Sequence, residues 1–316
     1  MIGYATRMAA PTLQILPCPL ERVAEALSLA LSELAPSLRR EAAGASWPRS
    51  GAASPPVQGL FVALRGERLC GATWAQRQPG NIAMFWRPQL VVVEPISTAR
   101  RLAVAALQEL DDAGIVMSQV LMPSHDAEGA PLLKSVGFRH LADLLYLACE
   151  AERFPSRTPA PPELEFVPYD ESQLRRLATL IERTYDGTLD CAALNGTRRM
   201  EDVVAGYQST GVFRPENWLM VRHADQDVGV LLLADHPAAR HWELVYMGLV
   251  PEVRGCGLGR QIALHAQSLA QAAKVERIVV AVDAANRPAL RMYRSTGFES
   301  WDRRAVLVRF SANSQT

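Results

Sequence analysis

The amino-acid sequence predicts an α/β fold, a mixed α+β sheet flanked by helices, occurring twice in tandem. Three observations carry this reading. First, 316 residues correspond to two domains at roughly 150 residues each. Second, Ser135-Val136-Gly137-Phe138 returns as Ser295-Thr296-Gly297-Phe298, an offset of 160 residues. The same shift lays Val91-Val92-Val93 on Pro251-Glu252-Val253, the helical stretch from Arg100 on that from Arg260, and the strand-like Val116–Leu121 on Glu276–Ala281. A shift of 158 overlays Leu60–Leu64 and Leu69–Ala75 on Trp218–Arg222 and Val228–Ala234, so a two-residue loop difference reconciles the offsets. Third, Arg153 to Pro162 holds four prolines in ten residues, and proline continues neither a helix nor an inner strand. The expected organisation is a first domain over 1–152, a proline-rich linker over 153–163 and a second domain over 164–316.

The second copy parses element by element. Leu164–Tyr169 alternates like a short strand. Asp170 is placed to cap a helix from Glu171 to Tyr185 with Leu174, Leu177, Ala178 and Ile181 on one face. A second helix is expected from Thr197 to Gln208, followed by the hairpin and a third strand from Trp242 to Val250. A helix from Gly257 to Lys274 carries Ile262, Leu264, Ala266, Leu269 and Ala273. Arg277–Val282 reads as a buried strand, Pro288–Thr296 as a short helix opening with proline, and Val306–Phe310 as a last strand.

Composition excludes several function classes. Thirty-three basic residues balance thirty-three acidic ones, so no global field draws the chain to nucleic acid or anionic lipid. Only Lys134 and Lys274 are lysines; this arginine bias, with the many alanines and prolines, points to a GC-rich bacterial genome. The five cysteines are widely spaced without a CxxC pair, which argues against a disulfide framework or a zinc site. Pro11, Pro17 and Pro19 interrupt any leader-like apolar segment, and apolar runs such as Val228–Ala234 fall far short of the roughly 18 residues of a membrane helix. A cytoplasmic protein with no membrane partner is expected.

The segment that carries chemistry is Val250-Pro251-Glu252-Val253-Arg254-Gly255-Cys256-Gly257-Leu258-Gly259-Arg260, between an apolar strand and an amphipathic helix. Its glycines let successive backbone N–H groups turn inward at the positive end of a helix, an arrangement that cradles phosphate. No Gly-Lys-Ser/Thr follows, so it is not a Walker loop, and it lacks the context of a dinucleotide-binding fingerprint.

These residues resemble the GCN5-related N-acetyltransferase (GNAT) family. Its acetyl-CoA signature, Arg/Gln-x-x-Gly-x-Gly/Ala after a strand, is matched by Arg254, Gly257 and Gly259. Its next signature, an Asn after the following strand and then Ala-x-x-x-Tyr-x-x-x-Gly-Phe, reads here as Asn286, Ala289, Tyr293, Gly297 and Phe298. The resemblance spans Leu164 to Phe310; the first copy shares the general pattern and Gly137-Phe138.

The resemblance implies two tandem GNAT-like domains and acetyl-CoA as acyl donor, with no metal. Backbone groups of Gly255, Cys256, Gly257, Leu258, Gly259 and Arg260 would hold the pyrophosphate, with Arg254 favouring it. Main-chain groups of Leu249 and Val250 would pair with pantetheine where two strands part, and Asn286 would contact the same arm. Tyr293 would protonate the leaving thiolate.

Glu243, on the strand leading to the turn, is the expected general base, a solvated strand carboxylate being the alternative; Tyr246 and Glu182 are weaker candidates. His241 and His265 read as structural. Tyr185, Asp190 and Tyr246 are candidate acceptor contacts, and Cys191 is not expected to carry an acyl group. In the first copy Glu94 and Pro95 stand where Arg254 and Gly255 do, Leu133 where Tyr293 does and Asp126 where Asn286 does, so that copy is expected to be degenerate and to lack the CoA site. The expected activity is direct acetyl transfer from acetyl-CoA to a primary amine of a small molecule or peptide, by a monomer or homodimer. The alternatives are a non-catalytic acyl-CoA sensor and a transferase using a longer acyl-CoA.

Overall fold

The computed structural model describes residues 12–34, 39, 42–44, 57–91, 94–123, 129–155 and 164–311. Asp126, and the expected linker from residue 156 onward, lie outside the described residues. The first half runs β1 (Leu13–Pro17), α1 (Val23–Ala30), β2 (Leu60–Arg65), β3 (Arg68–Gln78), β4 (Ile82–Leu90), α2 (Ile96–Asp112), β5 (Met117–Pro123), α3 (Gly129–Ser135) and β6 (Arg139–Glu150). The second runs β7 (Leu164–Pro168), α4 (Leu174–Tyr185), α5 (Met200–Gln208), β8 (Trp218–His223), β9 (Gln226–His236), β10 (His241–Leu249), α6 (Leu258–Ala272), β11 (Arg277–Asp283), α7 (Arg287–Ser295) and β12 (Glu299–Phe310).

Local chemistry accounts for these elements. Asp170 accepts the Ser172 N–H (2.9 Å), but the cap opens a 3₁₀ turn over Glu171–Gln173, and the α-helix begins only at Leu174. The β8–β9 hairpin turns through Ala224 and Asp225, both at positive φ (47° and 62°), the geometry that matches the twist of the flanking strands. Asn286 caps α7 by accepting the Ala289 N–H (3.2 Å), with proline in the first turn. The last strand is longer than expected, running from Glu299 to Phe310 with an exposed first part before the buried Val306, Leu307 and Val308.

The described residues form two compact units that differ from the expected cut. One contains residues up to 120, 129–139 and those from 308; the other contains 121–123 and 140–307. The expected first domain, 1–152, thus loses 140–152 to the second unit. The reason is long-range pairing: β6 runs antiparallel to the whole of β11, from Arg277 opposite Glu150 to Asp283 opposite Leu144. The expected second domain, 164–316, loses its end to the first unit, where Arg309 pairs with Asp111 (2.8 Å) and the Ser311 N–H reaches Val116 O (3.0 Å).

In the first unit the strands follow the order β1-β2-β3-β4-β5, over a core that includes Leu27, Leu60, Val62 and Trp74. In the second the order is β6-β11-β10-β9-β8-β7, over a core that includes Trp218, Leu231, Leu232, Ile262 and Ile278. β10 and β11 pair in parallel only over His241–Glu243 and Arg277–Val279. Beyond that ladder they diverge. β10 continues along β9 to Leu249, with a bulge between Leu244 and Tyr246, while β11 continues along β6. No helix among the described residues is long and apolar enough to cross a membrane.

Candidate active site

The divergence of β10 and β11 opens a cavity of about 920 Å³ within the second unit. Its walls come from β10, β11, the end of α4 with the loop after it, the glycine turn and α7.

At one end lies the glycine turn. Gly255 and Gly257 adopt left-handed φ values of 81° and 84°, which glycine reaches without strain. Gly257 is the N-cap of α6 and has no side chain to cover the helix end. Consequently the N–H groups of Gly255, Cys256, Gly257, Leu258 and Gly259 have no acceptor among the described residues, whereas Arg260 N–H is committed to Gly257 O (3.1 Å). Arg260 and Arg291 line the cavity, and neither has an ion pair among the described residues. Five unsatisfied donors, two guanidinium groups and a helix N-terminus suit a polyanion such as the CoA phosphates. The sequence reading missed Arg291, whose only signal was its place two residues before Tyr293.

Three expectations near this turn require correction. Arg254 does not reach out as a phosphate ligand: Nε donates to Leu249 O (3.0 Å) and an Nη donates to Thr184 O (2.9 Å), fastening the ends of β10 and α4 together. Leu249 lines the cavity, but its carbonyl is taken by this contact. Val250 is buried, gives its N–H to Val228 O (2.9 Å) and does not line the cavity, so pairing with an extended ligand falls to the β10 edge before Leu249. Cys256 is exposed, and its side chain also lies outside the lining. Asn286 does line the cavity while capping α7.

The two candidate tyrosines differ in what their hydroxyls do. Thr184 Oγ1 donates to Ile181 O (2.6 Å), so in the 2.7 Å contact with Tyr246 the tyrosine is the donor. Tyr246 is further fixed by stacking on Tyr207 and edge contact with Tyr185, whose hydroxyls bond each other at 2.8 Å. Gly248 permits this wall, because a Cβ there would sit 2.6 Å from Thr184 Oγ1 and 2.7 Å from the Tyr246 hydroxyl. Tyr293 lines the cavity from α7, its ring held against Phe298, and its hydroxyl has no hydrogen-bond partner among the described residues. Burial pushes both tyrosines well above the ordinary phenol value, so both stay protonated. Only Tyr293 has its proton uncommitted.

The expected general base, Glu243, is not in the cavity, and of the two weaker candidates only Tyr246 lines it. Glu243 sits on the closed β10–β11 ladder and pairs with His236 Nε2 on the neighbouring β9 (3.1 Å); the His236 ring in turn stacks on His241. Glu182 is exposed, and His265 stacks on Phe166 (3.6 Å). Glu243, Glu182, His236, His241 and His265 all lie outside the lining. Asp190 does, and Tyr185 stands behind the wall.

The loop after α4 is clasped to the end of β11. Asp190 Oδ1 accepts the Asp283 N–H (2.8 Å), and Asp283 Oδ2 accepts the Cys191 N–H (3.1 Å). Asp190, Cys191 and Asp283 bring potential ligand atoms within 4.8 Å of one another, but three of the four carboxylate oxygens already bind backbone N–H groups. Burial, reinforced by the two aspartates, pushes the Cys191 thiol up to about 12, which makes it a poor nucleophile.

The comparisons agree with this cleft. The sequence profile of the acetyltransferase (GNAT) family matches residues 181–298. Peptidyl-lysine N-acetyltransferase YjaB of Escherichia coli (strain K12) is 31% identical over 126 residues, which are 39% of this chain and 74% of that protein. A mycothiol acetyltransferase of Thermobispora bispora is 30% identical over 111 residues, 34% of this chain and 37% of its own length. The chain therefore belongs to the GNAT family; it is an acetyltransferase, of a family whose donor is acetyl-CoA. In fold it resembles a GCN5-related N-acetyltransferase from Sphaerobacter thermophilus (TM-score 0.64, 13% identity, covering 94% of this chain and 95% of the other). It also resembles a tandem GNAT protein from the clavulanic acid biosynthesis pathway (TM-score 0.55, 15% identity, covering 95% and 99%).

Proposed function

We propose that this chain transfers the acetyl group of acetyl-CoA directly to a primary amine of a small molecule or peptide, in the cleft of its second unit. The observation that carries this is the pairing, in one cavity, of a phosphate-suited turn with a buried tyrosine whose proton is uncommitted. The N–H groups of Gly255 to Gly259, with Arg260 and Arg291, hold the pyrophosphate. The unpaired edge of β10 between Leu244 and Gly248 receives the pantetheine arm, with Asn286 beside it. The thioester then lies where the strands part. The amine nitrogen attacks its carbonyl carbon, the C–S bond breaks, and Tyr293 gives the departing sulfur its proton. Arg254 keeps the site in shape by joining β10 to α4.

The first unit, on this reading, is a tandem copy that kept the fold and lost the cofactor site. The name of YjaB, which this chain covers over 74% of its length, supports including a lysine side chain among the acceptors to be tried. The test is an acceptor panel with colorimetric detection of the CoA thiol. Acceptor-dependent release that falls away in Gly257→Glu supports the reading; binding of CoA with no release for any amine would favour an acyl-CoA sensor.

A further inference from the structure

The proposed reaction needs a group to take the proton from the amine, and the lining of the cavity narrows the choice. Among the described residues Asp190 is the single carboxylate in that lining, and no histidine joins it. Its position is fixed. Oδ1 accepts the Asp283 N–H at the end of β11, its own N–H reaches Thr188 Oγ1 (3.1 Å), and the next residue is pinned through Cys191 N–H to Asp283. Oδ2 has no partner among the described residues. The wall beside it is the Tyr246 ring, whose hydroxyl bonds Thr184, buttressed by Tyr185 and Tyr207, whose hydroxyls bond each other. That wall offers aromatic surface and no anion. A positively charged acceptor group has one place to go, and the rings beside it suit a cation.

Resting on the reading above, we propose that Asp190 Oδ2 is both the anchor for the acceptor's ammonium and the catalytic base. The preferred acceptor is thus a cationic primary amine. The ammonium gives one proton to Oδ2, and the nitrogen lone pair forms the C–N bond. The C–S bond then breaks, sulfur takes the Tyr293 proton, and the second nitrogen proton restores Tyr293. The proton on Asp190 leaves to solvent. Burial holds the Asp190 carboxyl above the ordinary carboxylate value; the Asp283 N–H opposes this and the Asp283 charge adds to it. The charge of Asp190 also helps to raise Tyr293, consistent with the two facing one cavity. The titratable groups around Asp190 are Asp283, Cys191, Tyr185, Tyr246 and Tyr293.

The test is Asp190→Asn in the full chain, assayed with acetyl-CoA and Nα-acetyl-lysine amide, glucosamine or putrescine from pH 5 to 9.5. Asparagine keeps an oxygen for the Asp283 N–H, so the clasp is retained. Wild-type kcat/KM should rise with pH through an acid limb above the usual carboxylate range. In the variant that limb should disappear, with kcat/KM down about 10²- to 10⁴-fold and CoA affinity by calorimetry changed less than about twofold. Asp283→Ala, which loosens the loop and leaves the Asp190 carboxylate, should keep the limb whatever its effect on rate. The wild-type limb is readable even if a variant does not fold. Activity of Asp190→Asn within threefold of wild type, a persisting limb, or a wild type that binds CoA and acetylates none of the three amines would overturn the assignment. A wild type that does not bind CoA would instead strike the cofactor reading.

Discussion

Two turns of this chain leave a parallel strand ladder and enter a helix, one in each unit, and they differ in what they offer an anion. In the first unit β4 pairs with β5 over Ile82–Met84 and Met117–Gln119, three residue pairs, matching the three pairs of β10 and β11 in the second. Both units therefore share a short parallel ladder ahead of the turn. In the first, Glu94 places a carboxylate before α2, held by Arg65 (3.0 Å) and by the Thr98 hydroxyl (3.3 Å). Pro95, the N-cap, has no N–H to give. In the second, Arg254 occupies the position of Glu94 but binds two protein carbonyls, and the glycines behind it leave five N–H groups unclaimed. The same short strand ladder thus precedes two turns of opposite chemistry, a carboxylate and a proline in one and five unclaimed N–H groups in the other.

Transplanting the first turn into the second is the most severe way to break this comparison. Arg254→Glu with Gly255→Pro removes one N–H donor, unfastens β10 from α4 and adds a charge near phosphate. Two like charges roughly 4 Å apart at an effective dielectric constant of about 20 repel by about 4 kcal/mol, so CoA affinity should fall about 10³-fold. Calorimetry reads it, and a loss below tenfold would mean that the turn does not hold the pyrophosphate.

Next in size is the contrast between the two tyrosines of the cleft. Tyr293→Phe should lower kcat about 10²-fold with CoA affinity nearly unchanged, because it removes a positioned proton donor. Tyr246→Phe should cost less than about tenfold, since its proton is committed to Thr184. Equal losses would erase the distinction drawn from their hydrogen bonds.

The smallest effect belongs to the first unit. Arg65 beside Glu94 holds that carboxyl below its ordinary value. A lowered pKa adds stability above the ordinary carboxylate range, and that stability is lost as pH falls through the folded-state value. Glu94→Gln should thus lower the melting temperature at pH 7, by an amount that shrinks below about pH 4, and should leave CoA binding unchanged. A pH-independent difference would contradict the ion-pair account.

Most of the scaffold was legible because periodicity is local: apart from the last strand, which starts seven residues earlier than expected, the strands and helices of the second half begin and end within a few residues of their expected places. The glycine turn, Asn286 and Tyr293 were legible because each is tied to an element boundary that the sequence marks. What escaped depended on partners distant in sequence. Nothing in Arg139–Glu150 announces that it will pair with β11 rather than close its own half. Arg254 declares a charge but not the two carbonyls it reaches, and Glu243 does not reveal that His236 pairs with it from β9. Asp190 read as one polar loop residue among several; its clasp with Asp283 and its place in the cavity wall depend on a partner some 90 residues away.

On the proposed reading the second unit binds CoA and the first does not. Calorimetric titration of the full chain with CoA tests it most directly, repeated on Gly257→Glu, which places a carboxylate in the turn and a side chain at a φ of 84°. The account predicts one site per chain in the wild type and none in the variant. Two equal sites, or binding that survives the substitution, would contradict it.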